Sequence, residues 1–338
     1  MESSVIITKT PRDSNMELLR IVAMLLILIS HANFIPSIEE YGINPASAFF
    51  REFIECIAVV AVNCFIFISG WFRIRPTLKG LAKFVFQCLF FVIGLYILKI
   101  VVGGGEFNLR YFVNCLFLTN NWFYPAYLGL FVISPILNAF LEKSNLKQLW
   151  LVVMCFYVFQ SIYGAVFSIK WIGRGYSAFS FIGIYILAST VRRSISECNI
   201  KFSNVLLLLF FFGISLLRVV IQFLGRKYDI SFINPYVYDT PLLVVCTVLL
   251  CVYFSRLNIG YNKVINWVAA SAFAVFLFHM NLFDELFRPI MTNLYSGYSG
   301  ITCLLFMFGA VLGFFIVAIL VDQVRKFIWN WISKVVWN

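Results

Sequence analysis

Apolar stretches of 18 residues or more recur along the chain, separated by short polar segments. Crossing the ~30 Å hydrocarbon layer as an α-helix takes about 20 such residues, so each stretch predicts a spanning helix. Ten are expected, over residues 16–35, 53–72, 81–102, 121–141, 146–169, 175–191, 202–224, 238–256, 264–283 and 299–321. No soluble domain fits between them, which makes the expected fold all-α: one polytopic membrane domain over residues 1–338. The first 15 residues are polar and no small-residue cleavage site follows the first span, so it reads as a retained helix and not a signal peptide. Residues 108–118 (NLRYFVNCLFL) are too short to cross and too apolar for a free loop, and are expected at the interface or as a short re-entrant helix. The tail over 325–338 alternates basic and aromatic residues, as an amphipathic helix along the inner surface requires.

Composition agrees: 62% hydrophobic residues, 12% charged residues and a mean hydropathy of +0.92 exclude an ordinary soluble protein. An even number of spans puts both termini on one side. With that side cytoplasmic, sixteen Lys and Arg fall on inner segments and seven on outer ones, with Arg20, Lys99 and Arg218 inside spans, as the positive-inside rule demands. The net charge of +11 is dispersed over the inner loops. It therefore points to topology and anionic membrane lipid, not to a nucleic-acid partner. The tryptophans, Trp122 and Trp171 among them, fall near span ends and read as an interfacial belt. Nine cysteines without C-x-x-C spacing support neither a disulfide framework nor a metal site.

Charge and histidine inside the spans carry the candidate chemistry, because an ionisable group at membrane depth is costly and marks function by default. The chain has two histidines, His31 and His279, each inside an apolar stretch. Arg20 and His31 stand 11 residues apart, which puts them on one helix face about 16 Å apart. Glu17 joins that face, and the stripe Glu17, Arg20, Met24, Ile27, His31 must look into protein or an aqueous cavity. His279 and Arg218 are expected in the same layer as His31, and Asn63 lies near the middle of the second span. For His279 a structural hydrogen bond stands beside a chemical role, for Arg20 an ion pair with Glu17, and for Asn63 helix-to-helix bonding. The run FRIRPTLKGLAK brings Arg73, Arg75, Lys79 and Lys83 to the inner surface. Topology alone accounts for such a run. So does a landing site for a phosphorylated cytosolic molecule, since Arg offers a planar fork to phosphate and Lys a point charge.

Arginine, ten residues, then histidine in the first helix resembles the acyltransferase-3 family of bacterial membrane O-acyltransferases. VNCFIFISGWF (62–72), NWFYPAYLGLFVISPILN (121–138) and FAVFLFHMN (273–281) resemble further family segments in the same order, so the resemblance spans nearly the whole chain. One departure is Arg73-Ile74-Arg75 with Lys79 and Lys83, where family members often carry Arg-x-x-Arg. The resemblance implies transfer of an acyl group, usually acetyl, from cytoplasmic acyl-CoA to a carbohydrate hydroxyl near the outer face of the bacterial inner membrane. It implies His31 as general base or transient acyl carrier and Arg20 acting on the donor. From the residues alone, a transporter or flippase of lipid-linked sugars remains the alternative, with Arg20, Arg218 and the histidines lining its path.

Overall fold

The computed structural model describes residues 14–33, 45–167, 169–170, 172–228, 234 and 236–337. Lys9, Arg12, Trp171, the last two residues of the first expected span and Asn338 lie outside them. The described residues form helices α1 (Asn15–Asn33), α2 (Pro45–Ala58), α3 (Ala61–Phe72), α4 (Leu78–Gly103), α5 (Leu109–Leu116), α6 (Phe123–Lys143), α7 (Leu146–Gln160), α8 (Ala178–Glu197), α9 (Asn204–Lys227), α10 (Pro241–Ser255), α11 (Lys263–Ala269), α12 (Ala272–Asn281), α13 (Arg288–Gly297) and α14 (Gly300–Trp337). Short π-helical turns follow α7 and α12.

A helix stands at each of the ten expected spans. Among the described residues, eight helical segments are long and apolar enough by themselves to cross a membrane. α8 and α10 fall short: α8 carries Ser189, Thr190, Arg192, Arg193 and Ser194, and α10 has only 15 residues. Both lie deep in the bundle, with Tyr185, Ala188 and Thr190 of α8 and Leu243, Cys246 and Cys251 of α10 fully covered. A helix walled by protein is released from the length and apolarity that lipid imposes on its neighbours. The short apolar stretch after the third span forms α5, capped by the Asn108 side chain accepting from Tyr111 N at 2.9 Å. The tail is helical but is not a separate surface element, because α14 runs unbroken over 38 residues. Within it Asp322, Arg325 and Trp329 are buried, with the Trp329 ring 5.4 Å from that of Phe86.

α1 is the central element, with α2, α3, α10, α11, α12 and α14 packed around it. Its start is fixed by Ser14 N donating to Gly260 O at 3.0 Å and Asn15 Nδ2 to Ser255 O at 3.0 Å. Its far end is tied to α2 by Ser30 Oγ donating to Glu55 Oε1 at 2.7 Å. α3 and α8 cross closely at Gly70, where a Cβ would stand 2.8 Å from the Tyr185 Cα. Ser189 Oγ donates to Gly70 O at 2.6 Å across that crossing. α1 begins at what is here termed the N-terminal face of the bundle, and His31 lies toward the opposite face.

Candidate active site

Because α1 is continuous from Asn15 to Asn33, the stripe read from the sequence stays in register with one side of the helix. Met24, Ile27, Ser30 and His31 line a cavity of about 130 Å³, room for several ordered waters. Arg20, three turns away, lines a second cavity of about 260 Å³. Phe65, Phe123 and Phe273 border both, so an aromatic constriction separates the two chambers. A third cavity, about 480 Å³, adjoins the His31 chamber through the shared residues Asn121 and Met280. Its rim carries Lys99 paired with Glu285 at 2.6 Å. The Arg20 and His31 chambers follow one another along α1, and the third, lined from α4, α5, the start of α6 and the end of α12, adjoins the His31 chamber.

The two histidines meet. His31 Nδ1 and His279 Nε2 are 2.6 Å apart, and their ring centroids 4.9 Å. His279 is fully buried, and its Nδ1 lies 3.2 Å from Val275 O on the preceding turn of α12. A carbonyl only accepts, so His279 Nδ1 carries the hydrogen and its Nε2 presents a lone pair. His31 Nδ1 must then donate to that lone pair, which leaves His31 Nε2, on the ring edge away from His279, as the unprotonated nitrogen of a neutral pair. Phe283 packs edge-on against the His31 ring at 5.9 Å. This is the arrangement of an oriented base: one ring held by a second, which is held by the backbone.

The remaining sequence candidates divide. Glu17 and Arg20 form an ion pair, with Arg20 Nη1 2.8 Å from Glu17 Oε2 and 2.9 Å from Oε1, and Arg20 keeps part of its surface in the second cavity. Asn63 does not reach the histidines but donates from Nδ2 to Tyr238 O at 2.9 Å, fixing one wall of their chamber. Arg218 faces α2 and donates to Cys56 O at 2.6 Å, beside the Glu55 that bonds Ser30, and is not among the residues lining the His31 chamber. The basic run does not converge on Arg20. Arg73 pairs with Glu142 at 3.3 Å, Lys79 lies over the Trp337 ring at 5.9 Å, Arg75 is exposed, and Lys83 neighbours Asp322, Arg325 and Lys326. The loop that presents Arg73 and Arg75 is nevertheless fixed. Asn138 Nδ2 donates to Ile74 O at 2.8 Å, Ile74 N donates to Tyr185 Oη at 2.8 Å, and Tyr185 Oη donates to Asn138 Oδ1 at 2.7 Å.

Sequence reasoning missed two features of the site. Glu55 is buried beneath the His31 chamber, accepting from Ser30 and from Asn33 Nδ2 at 3.3 Å. The spacing of Glu52 and Glu55 at one end of a span was its only signal. Trp122, read as a belt residue, instead lines the His31 chamber with Tyr176 and Tyr238, a convergence of three distant segments that no local pattern announces.

No curated protein and no solved structure matched the chain. The family model described as an acyltransferase domain matches residues 13–322, which takes in the whole path from Arg20 through both histidines to Lys99. A polytopic bundle with a buried, oriented imidazole at its centre and that match over nearly its full length define this chain as a membrane acyltransferase belonging to the acyltransferase-3 family.

Proposed function

We propose that this protein transfers an acetyl group from acetyl-CoA, bound from the cytoplasm at the N-terminal face, to a hydroxyl of a surface polysaccharide or its lipid-linked precursor beyond the opposite face of a bacterial inner membrane. Both termini then lie in the cytoplasm. The observation that carries the reading is the His31–His279 pair at 2.6 Å in the middle of three successive chambers. His31 Nε2 accepts the proton of the attacking hydroxyl, and the oxygen adds to the thioester carbonyl. The carbon–sulfur bond then breaks and the imidazolium returns its proton to the departing thiolate, so the histidine ends as it began. His279 acts as the positioning residue that holds the tautomer.

The second chamber suits the donor's arm. Its walls are Phe65, Phe84, Phe123, Phe273 and small alanines, with Ser69 and Tyr127 hydroxyls and the Arg20 guanidinium as the polar groups. On this reading Arg20 polarises or orients the donor, and the basic run Arg73, Arg75, Lys79 and Lys83, which stands apart from Arg20, meets the donor's phosphates outside the chamber, with the exposed Arg75 the group of the run least engaged. The test is His31→Ala, followed by transfer of labelled acetyl from acetyl-CoA to the cell's own polysaccharide. Loss of transfer by ~10²- to 10⁴-fold, the usual contribution of a general base, with unchanged membrane insertion is the expected result. Undiminished transfer overturns the mechanism.

A further inference from the structure

Three aromatic rings on the wall of the His31 chamber are unused by the acyl-transfer steps. Trp122 and Tyr176 lie 4.6 Å apart, Tyr176 and Tyr238 4.8 Å, and Trp122 and Tyr238 6.1 Å with planes 30° apart. They come from three separate segments: the start of α6, the loop before α8 and the loop before α10. The two tyrosine segments are each held in place by a specific device. Gly173, Arg174 and Gly175 have φ of 65°, 52° and 91°, three consecutive left-handed residues that turn the chain to deliver Tyr176. Such a conformation costs a non-glycine residue about 1–3 kcal/mol and persists only where the surroundings demand it. A Cβ on Gly175 would stand 2.5 Å from the Tyr238 Cβ, so only glycine lets the two tyrosine segments approach. From the other side Asn63 holds the Tyr238 carbonyl at 2.9 Å.

The rings form an open wall, not a closed core. Tyr176 is 44% exposed, and all three face the cavity that contains His31. The two sides of this cavity differ in chemistry. Toward the Arg20 chamber the boundary is phenylalanine alone. Toward the opposite face it passes, by way of Asn121, into a vestibule with Asn120, Asn281, Asp284 and Glu285. Amides and carboxylates there bond hydroxyls, and the electron-rich ring faces attract polarised C–H groups. Together these match a pyranose ring, which has a C–H face and a hydroxyl rim.

Resting on the acyl-transfer reading, we propose that Trp122, Tyr176 and Tyr238 are the platform on which the acceptor's sugar ring stacks, turning one hydroxyl toward His31 and selecting acceptors that present a continuous C–H face. The test uses the full-length protein in lipid nanodiscs, labelled acetyl-CoA, and oligosaccharides released from the surface polysaccharide of the producing cell. Trp122→Leu and Tyr176→Leu should each raise the acceptor KM about tenfold, the equivalent of one lost stacking contact of ~1.4 kcal/mol. The donor KM should stay at its wild-type value, and Tyr176→Phe, which keeps the ring, should restore the acceptor KM. Unchanged acceptor KM in both leucine variants overturns the platform, as does an equal rise in donor KM or a lowered unfolding midpoint in both, which would place the rings in the scaffold. His31→Ala assayed alongside separates the two ideas: retained transfer there removes the catalytic reading, whereas an altered acceptor KM in the leucine variants belongs to the platform alone.

Discussion

Replacing His279 with phenylalanine removes the acceptor for His31 Nδ1–H and keeps a ring in a site with no exposed surface. A buried donor left without its partner costs ~1–3 kcal/mol. At 1.36 kcal/mol per tenfold in rate, a loss of that size falling on the reactive conformation lowers kcat about 5- to 150-fold. The donor KM should hold, because His279 does not line the Arg20 chamber. His279→Gln offers an amide oxygen in place of the lost nitrogen and should recover part of the rate. Single-turnover transfer from labelled acetyl-CoA, with purified protein in nanodiscs, reads the chemical step directly. In a His31→Ala background the His279→Phe substitution should have no further effect, since a positioning residue acts only through what it positions. Wild-type kcat in His279→Phe, or additive losses in the double variant, would refute the proton arrangement deduced for the pair.

Three further outcomes are expected. Arg75→Glu reverses an exposed charge of the loop held by Asn138 and should raise the donor KM before it lowers kcat, with the effect shrinking as salt is added; a donor KM equal to wild type returns that loop to a purely topological role. Gly70→Val places atoms where Tyr185 already stands and should destabilise the bundle by ~1–3 kcal/mol, seen as a lower unfolding midpoint in detergent; an unchanged midpoint contradicts the close α3–α8 crossing. Burial lifts the Asp239 carboxyl, in the loop before α10, from its ordinary 3.8 to about 6. The folded protein therefore holds that proton more tightly than the unfolded chain does, and the associated stability is full below pH 3.8 and lost as pH rises through about 6. Asp239→Asn should melt above the wild type at pH 7.5 by a margin that closes toward pH 4; a margin independent of pH would sink this account.

The spans were legible because lipid enforces them residue by residue. Where protein replaces lipid, as around α8 and α10, the enforcement lapses and sequence reading sees only a helix, not its place at the centre. The stripe from Glu17 to His31 was legible because one helix carries it and 3.6 residues per turn fixes its face. The neighbours of that stripe were not. Arg218 occupies a span as expected, but its partner, the Cys56 carbonyl of α2, depends on how the helices rotate against one another. Asn63 reads in sequence as helix glue and proves to hold a loop carbonyl. The tail at 325–338 reads as a surface helix by its alternation, but no glycine or proline interrupts the chain between Phe314 and Trp337, and it continues α14.

The sequence by itself determined the solvent, the helical class, the family and the one face of α1 on which an imidazole and a guanidinium stand, because each of these depends on local composition or on the period of a single helix. The tertiary structure decided that His279 touches His31, that the basic run stays apart from Arg20, and that Trp122, Tyr176 and Tyr238 share a wall. These are matters of how helices rotate and lean on one another, set by packing among distant residues such as His31 and His279, 248 positions apart, and no local period encodes them.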